Sequence, residues 1–262
     1  MLLSMFTKTI KLILILILCT GLKPVTTHPT PKSMDRDLVF SCTLNDTAHP
    51  IYAVDRHDNS KVYASDTADS TYTSSGKFGG GHDFNGSSNE VDWGDADEYS
   101  VSAGGWSISF WIYSDKTDAT QALIAKYGTY SPYRRDWAIF WNKSGASGYY
   151  QLLIKDSGND QITRTSQDSL AFMPQGAWTH LVFTWDGTTG DGTGIKIYEN
   201  TIEIGTTSPD SGTFNAPNNS TSSLFFGRRL DGDFTGGIID QVDIWQREIS
   251  EDEIKHIYYS RK

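Results

Sequence analysis

The stretch Trp106-Ser-Ile-Ser-Phe-Trp-Ile-Tyr113 decides the fold class. Ile108, Phe110 and Ile112 fall on one side of an extended chain, and Ser107, Ser109, Trp111 and Tyr113 on the other, the period of two that a strand imposes. The first set is the core face. Trp111 and Tyr113 then either line the exposed face of a curved sheet or lie under a loop. Similar runs follow in order: Trp137-Ala-Ile-Phe-Trp141, Tyr149-Tyr-Gln-Leu-Leu-Ile154, Trp178-Thr-His-Leu-Val-Phe-Thr-Trp185, Ile195-Lys-Ile-Tyr198, Leu224-Phe-Phe226 and Ile238 to Trp245. Clusters of Gly, Asp, Asn, Ser and Thr separate them, which is the pattern of an all-β chain. Roughly a dozen strands overfill one open sheet, so two packed antiparallel sheets are predicted.

The C-terminus breaks the pattern. Ser250 with Glu253 three residues on forms a capping box, Ile249 and Ile254 make the flanking staple, and Ile254, Ile257 and Tyr258 recur at helical spacing. A short helix closes the fold.

At the other end, Lys8 and Lys11 precede an apolar run from Leu12 to Cys19, and prolines follow at 24, 29 and 31. That layout predicts a signal peptide over residues 1–24, cleaved after Gly21 or near Thr27, then a polar linker over 25–35 and one domain over 36–262. The run is too short for a transmembrane helix, which takes about 20 apolar residues. The mature protein is therefore expected to be secreted and extracellular, with Cys42 as its sole cysteine and no intramolecular disulfide. Cys42, between Phe40 and Leu44, reads as a small buried hydrophobe. The chain carries 22 basic and 32 acidic residues, a formal charge of −10. Such a surface repels nucleic acid and anionic lipid, and its carboxylates are ligands suited to a hard cation.

Further motifs stand in a fixed order: Leu38-Val-Phe40, Gly76-Lys-Phe-Gly79, His82-Asp-Phe-Asn-Gly86, Val91-Asp-Trp-Gly-Asp95, the Trp106 strand, Leu123-Ile-Ala-Lys126, the run from Gly176 to Gly187, and the closing run from Gly236 to Ile257. In this order the sequence resembles the LamG-like jelly rolls of the concanavalin A-like lectin/glucanase superfamily, from about Asp37 to the C-terminus. The resemblance implies a two-sheet antiparallel jelly-roll sandwich with a short C-terminal helix. It says far less about function, because this superfold carries lectins, glycosidases, lyases and adhesion modules.

Asp240 shares strand parity with Val242 and Ile244, so a regular strand points it toward the apolar side, where a carboxylate needs a partner. A β-bulge would instead turn it outward. The resemblance implies a structural calcium ion held by Asp240 with backbone carbonyls from the start of the fold, where Asp37 is available. Asp231-Gly-Asp233 opens like a calcium loop but lacks the Glu at the twelfth position, where Val242 stands. For catalysis, Glu90-Val-Asp92-Trp-Gly-Asp95 approximates the paired carboxylates of laminarinase-like glycosidases. Its last member is Asp95, and Gly94 interrupts the strand that must hold the pair about 5–5.5 Å apart. His180 reads as hydrogen-bonded structure.

For binding, the turn-rich stretch from Lys126 to Trp137 offers Tyr130, Tyr133, Arg134 and Trp137. Arg228, Arg229, Asp231 and Asp233 form a second rim. Aromatic faces stack on the apolar patches of sugars, and arginine supplies forked donors. The favoured expectation is a secreted, non-catalytic carbohydrate-binding module with a structural calcium ion, whose partner is a glycan or polysaccharide. The alternatives are a polysaccharide-active hydrolase or lyase, and an extracellular module that binds protein.

Overall fold

The computed structural model describes residues 34–47, 52–55, 61–63, 70–115, 119–128, 135–144, 147–166, 174–207, 210 and 213–260. Two antiparallel sheets face each other. In the first, the order is β14 (Ile202–Glu203), β13 (Ile195–Glu199), β12 (Trp178–Trp185), β7 (Trp106–Ser114), β17 (Gly236–Trp245), β1 (Leu38–Cys42), β2 (Tyr52–Asp55) and β3 (Lys61–Tyr63). The hairpin of β4 (Thr71–Gly76) and β5 (Gly79–Asn85) joins this sheet through β17 and completes its ten strands. The second sheet has seven strands in the order β15 (Thr206–Thr207), β11 (Gln161–Ser166), β10 (Ser147–Lys155), β9 (Arg135–Ser144), β8 (Gln121–Tyr127), β16 (Phe225–Phe226) and β6 (Val91–Asp92).

Alternation builds the interior as the sequence predicts. Ile108, Phe110 and Ile112 of β7 meet Trp137, Ile139 and Trp141 of β9 and Tyr150, Leu152 and Ile154 of β10 in one continuous core. Phe40 anchors it with edge-to-face contacts to Trp93, Tyr99 and Phe226. Each such aromatic pair contributes about 0.5–1.5 kcal/mol beyond burial.

The outward residues of β7 are covered as well. Helix α1 (Glu251–Ser260) lies across the outside of the ten-stranded sheet, with Ile249, Ile254 and Ile257 buried against Leu38, Val182, Tyr198 and Trp245. Its capping box forms as expected: the Glu253 N–H donates to Ser250 Oγ, and the Ser250 N–H donates to Glu253 Oε2. Arg247 clamps Glu253 with two guanidinium nitrogens at 2.7 and 2.9 Å. Trp111 lies beneath Tyr258, with ring centroids 5.2 Å apart, and beneath Phe78 in the β4–β5 turn. His180 bonds to Ser109 Oγ at 2.8 Å, a buried structural pair.

Strand β17 is long because it serves two neighbours in turn. Its first half, residues 236–239, pairs with β5, and its second half, 242–245, pairs with β1. The handover carries a bulge between Asp240 and Asp243, with Gln241 at a φ of 52°. The bulge reverses the parity read from the sequence. Ile239, Val242 and Ile244 point into the core, whereas Asp240 sits opposite Trp111 on the outer face.

Candidate binding surface

The outer face of the seven-stranded sheet is built around small residues. Ala122 and Ala125 of β8 and Ala138 of β9 form its centre, edged by Tyr127, Phe140 and Leu153. The loop 227–235 follows β16 and runs along β8. Its Gly227 N–H donates to Leu123 O at 2.9 Å and its Leu230 N–H to Tyr127 O at 3.0 Å, while Asp233 O accepts from the Ala122 N–H at 2.6 Å. The tip is a tight turn in which Arg229 and Gly232 exchange backbone hydrogen bonds, with Gly232 at a φ of 134° that only glycine adopts freely.

This loop and the ends of β8 and β9 concentrate cations on an acidic chain. Arg228 Nε lies 2.5 Å from Glu90 Oε2, and its guanidinium covers Phe225 at 4.9 Å and Phe234 at 5.6 Å. Arg229 pairs with Asp233 at 2.7 Å. Arg135 stands opposite Tyr127 in the ladder, its guanidinium 6.0 Å from the ring, and donates to Asn159 Oδ1 at 2.5 Å. Burial pushes the Tyr127 hydroxyl above its ordinary pKa; Arg135 and Arg229 pull it down and Asp231 pushes it up, so all three charges act on this phenol. Burial also lowers Lys155, with Arg135 adding to the effect, and its ammonium donates to Asn159 O at 2.9 Å. The rim thus offers forked and single-point donors around the half-buried Phe234, with the Tyr127 ring buried beneath.

Of the residues expected to bind, Arg228 and Asp231 lie on this rim. Tyr130, Tyr133 and Arg134 fall between Gly128 and Arg135 in the chain and lie outside the described residues. Trp137 is a correction: it is fully buried, packs on Trp106 with centroids 4.7 Å apart, and donates its indole N–H to Tyr99 O. Its strand parity with Ile139 and Trp141 places it in the core, which leaves no ring face for a sugar. Tyr127 and Arg135 belong to the stretch from Lys126 to Trp137 expected to bind, and Glu90, from the acidic motif, joins the rim through Arg228.

The second expectation, Asp37 with Asp240, is also corrected. Leu38 pairs with Trp245 and Cys42 with Val242, so Asp37 and Asp240 flank opposite ends of the β1–β17 ladder. Asp37 is exposed beside Arg36, 3.5 Å away. Asp240 is fully buried beneath the β4–β5 turn and accepts the Phe78 N–H on Oδ2 at 3.0 Å. Beside it, Asn45 Oδ1 accepts the Gly80 N–H at 2.7 Å. Burial raises the Cys42 thiol far above its ordinary pKa, and the charges of Asp46, Asp243 and Asp240 add to the rise. Such oxygen donors are the hard kind that calcium takes. Among the described residues no group of three or more His, Cys, Asp or Glu side chains is arranged to hold a metal.

The acidic stretch 90–95 is dispersed. Glu90 holds Arg228, Asp92 Oδ1 accepts the Gly94 N–H at 2.8 Å, and Asp95 lies 2.9 Å from Lys126 Nζ. The Lys126 side chain is itself fully buried and reaches Ser220 O and Asp136, the latter at 3.5 Å. Asp136 is an extra residue in β9, since Lys126 pairs with Trp137 and Tyr127 with Arg135. Burial raises the Asp136 carboxyl from an ordinary 3.8 to about 6, against the lowering by Lys126, the Ser100 hydroxyl and the Ser220 N–H.

A family model described as the Concanavalin A-like lectin/glucanases superfamily, Laminin_G_3, matches residues 84–255, and the chain belongs to this family. No curated protein matches the sequence. Solved structures share the fold. The binding domain of Paraclostridial Mosquitocidal Protein 1 superposes with a TM-score of 0.64 at 17% identity, over 87% of this chain and 53% of that one. Domain 4 of AbnA, an extracellular arabinanase of Geobacillus stearothermophilus crystallised with arabinotriose, gives 0.55 at 20% identity, over 85% and 98%. The ligand-binding domain of botulinum neurotoxin serotype D, crystallised with N-acetylneuraminic acid, gives 0.61 at 15% identity, over 87% and 52%. The chain spans about half the length of these toxin domains. Among the described residues no helix is long and apolar enough to cross a membrane.

Proposed function

We propose that this chain is a secreted, non-catalytic carbohydrate-binding module. The observation that carries the reading is the loop 227–235, where Arg228 lies over the half-buried Phe234 and pairs with Glu90, and Arg229 pairs with Asp233. The half-buried Phe234 among forked donors, with the carboxylate of Asp231 in the same loop, is a set of groups that engages a sugar through its apolar C–H face and its hydroxyls. Family membership supports it, as do the names of two structures of the same fold, one crystallised with arabinotriose and one with N-acetylneuraminic acid. The dispersal of Glu90, Asp92 and Asp95 onto three separate partners favours binding over hydrolysis, which needs two carboxylates facing one bond.

We place a structural calcium ion beside Asp240, where it would tie the start of the fold to β17 and the β4–β5 turn. Its role is to hold the sandwich together, away from the rim. The signal peptide over 1–24 belongs to the same reading. The test is a screen of immobilised glycans and polysaccharides against the mature protein, with Arg228→Ala and Asp231→Ala alongside. Binding that both substitutions weaken supports the rim; binding that neither alters removes it.

A further inference from the structure

Seven of the eight tryptophans are no more than 4% exposed. Trp178, at the start of β12, is the exception and is half-buried. It stands opposite Tyr113 of β7, and their rings lie 5.8 Å apart at 56°. The same row crosses four more positions and strands of the ladder: Tyr113 is opposite Ile238, Ile238 opposite Asp83, and Asp83 opposite Thr71. Strand parity sends this row away from the core, on the face of Trp111 and Asp240. At ordinary strand spacing, Trp178 to Thr71 covers about 19 Å.

The neighbouring row explains why this one is a shelf. Trp111 and His180 are hidden beneath Tyr258, while Phe78 and the Lys77 ammonium, 4.4 Å from the indole, also cover Trp111. That cover stops at the Trp178 row, where Tyr113 and Ile238 remain half-buried and Thr71 and Asp83 are exposed. Tyr259, 56% exposed and edge-on to Tyr258, extends the wall outward. At the far end, burial and the nearby Asp115 hold the Asp83 carboxyl above its ordinary pKa, so two carboxylates close the shelf.

We propose that this shelf on the ten-stranded sheet is a second glycan-binding surface, distinct from the arginine rim, and that it takes neutral polysaccharide chains. The rings of Trp178 and Tyr113 present flat faces to the apolar C–H side of a sugar, and Asp83 accepts hydrogen bonds from its hydroxyls. Asp83 and Asp115, on a chain of net charge −10, repel uronic and sialic acids. The two surfaces therefore divide by charge. The inference rests on the carbohydrate-binding reading but is tested separately from it.

The full mature chain is titrated with arabinan, xylan and laminarin as neutral probes and with polygalacturonate as the anionic one. Each mixture is then treated with N-bromosuccinimide, and tryptophan oxidation is mapped by peptide mass spectrometry. Trp178 is expected to oxidise first in the free protein and to be protected by a neutral chain but not by polygalacturonate. Trp178→Ala should weaken neutral-chain binding by about tenfold or more, and Asp83→Asn to a smaller extent, with an unchanged melting temperature. Should Trp178→Ala fail to fold, oxidation of the wild-type chain and the Asp83→Asn titration decide the matter. A neutral chain that binds while Trp178 oxidises at its free rate, and whose binding Arg228→Ala abolishes, overturns the shelf and keeps the carbohydrate reading. Binding by none of the probes, or on a wider glycan array, removes both.

Discussion

Lys126→Met tests the physical account of the sandwich's most unusual interior feature. The ammonium is fully buried and held by Ser220 O, Asp95 and Asp136. Removing it leaves the fully buried Asp136 without its cation. Breaking a buried pair from one side costs about 3–5 kcal/mol, which for a domain of this size lowers Tm on the order of 10 °C. The loss should depend on pH. The Asp136 carboxyl is raised from 3.8 to about 6, so its proton is bound more tightly in the folded state. A raised carboxyl contributes stability that is full below its unfolded pKa and is lost as pH rises through the folded one, here about 3 kcal/mol between pH 4 and 6. Without Lys126 the carboxyl rises further and stays neutral over a wider range, so the cost of the substitution should be greatest near pH 8 and shrink toward pH 5. Urea unfolding at a series of pH values measures this directly. The double variant Lys126→Met/Asp136→Asn should recover most of the loss near pH 8, because no charge is left unpaired. A single variant within about 0.5 kcal/mol of wild type near pH 8, or a cost that does not change with pH, would refute the reasoning.

Other outcomes follow from the same geometry. Glu253→Gln should loosen α1, costing about 1–3 kcal/mol through the lost charge-assisted bonds to Arg247, and proteolysis near the C-terminus should report it. Burial would raise the Glu253 carboxyl, but Arg247 and the Ser250 N–H bring it below its ordinary value, so its contribution is present at neutral pH and lost in acid; amide exchange in α1 should accelerate there. Calcium at one hundred times its Kd should stabilise the wild-type chain by about 2.7 kcal/mol, and Asp240→Asn should abolish that increment; an equal increment in both proteins would remove calcium from beside Asp240. Arg228→Ala should remove the ion pair with Glu90 and weaken glycan binding at the rim without lowering Tm by more than a few degrees, as scanning calorimetry alongside the titration will show.

The regular parts of the fold were legible because alternation and helical spacing are local. Ile108, Phe110 and Ile112 face inward, and Ser250 and Glu253 cap α1, as their spacing required. Two bulges were not legible. The one at Gln241 turns Asp240 outward, and the one at Asp136 places a carboxylate beside Lys126; nothing in either local sequence marks the extra residue. Trp137 misled because aromatic residues mark both cores and sugar platforms, and only strand parity separates the two. The rim was half-legible: Arg228 and Asp231 stand in a conspicuous loop, and Tyr127 and Arg135 lie in the aromatic stretch from Lys126 to Trp137, but their pairing across β8 and β9 is one that composition does not reveal. Trp178 was hidden inside a strand motif because its exposure depends on where α1 and the β4–β5 turn stop.

Whether the protein binds carbohydrate without hydrolytic or lyase activity is decided by one screen. The mature protein is applied to a glycan array and a panel of polysaccharides, with calcium and with chelator, while the same mixtures are assayed for newly formed reducing and unsaturated ends. Saturable glycan binding with no new ends released is the expected result. New chain ends that accumulate with time, or no binding to any glycan in either buffer, would contradict it.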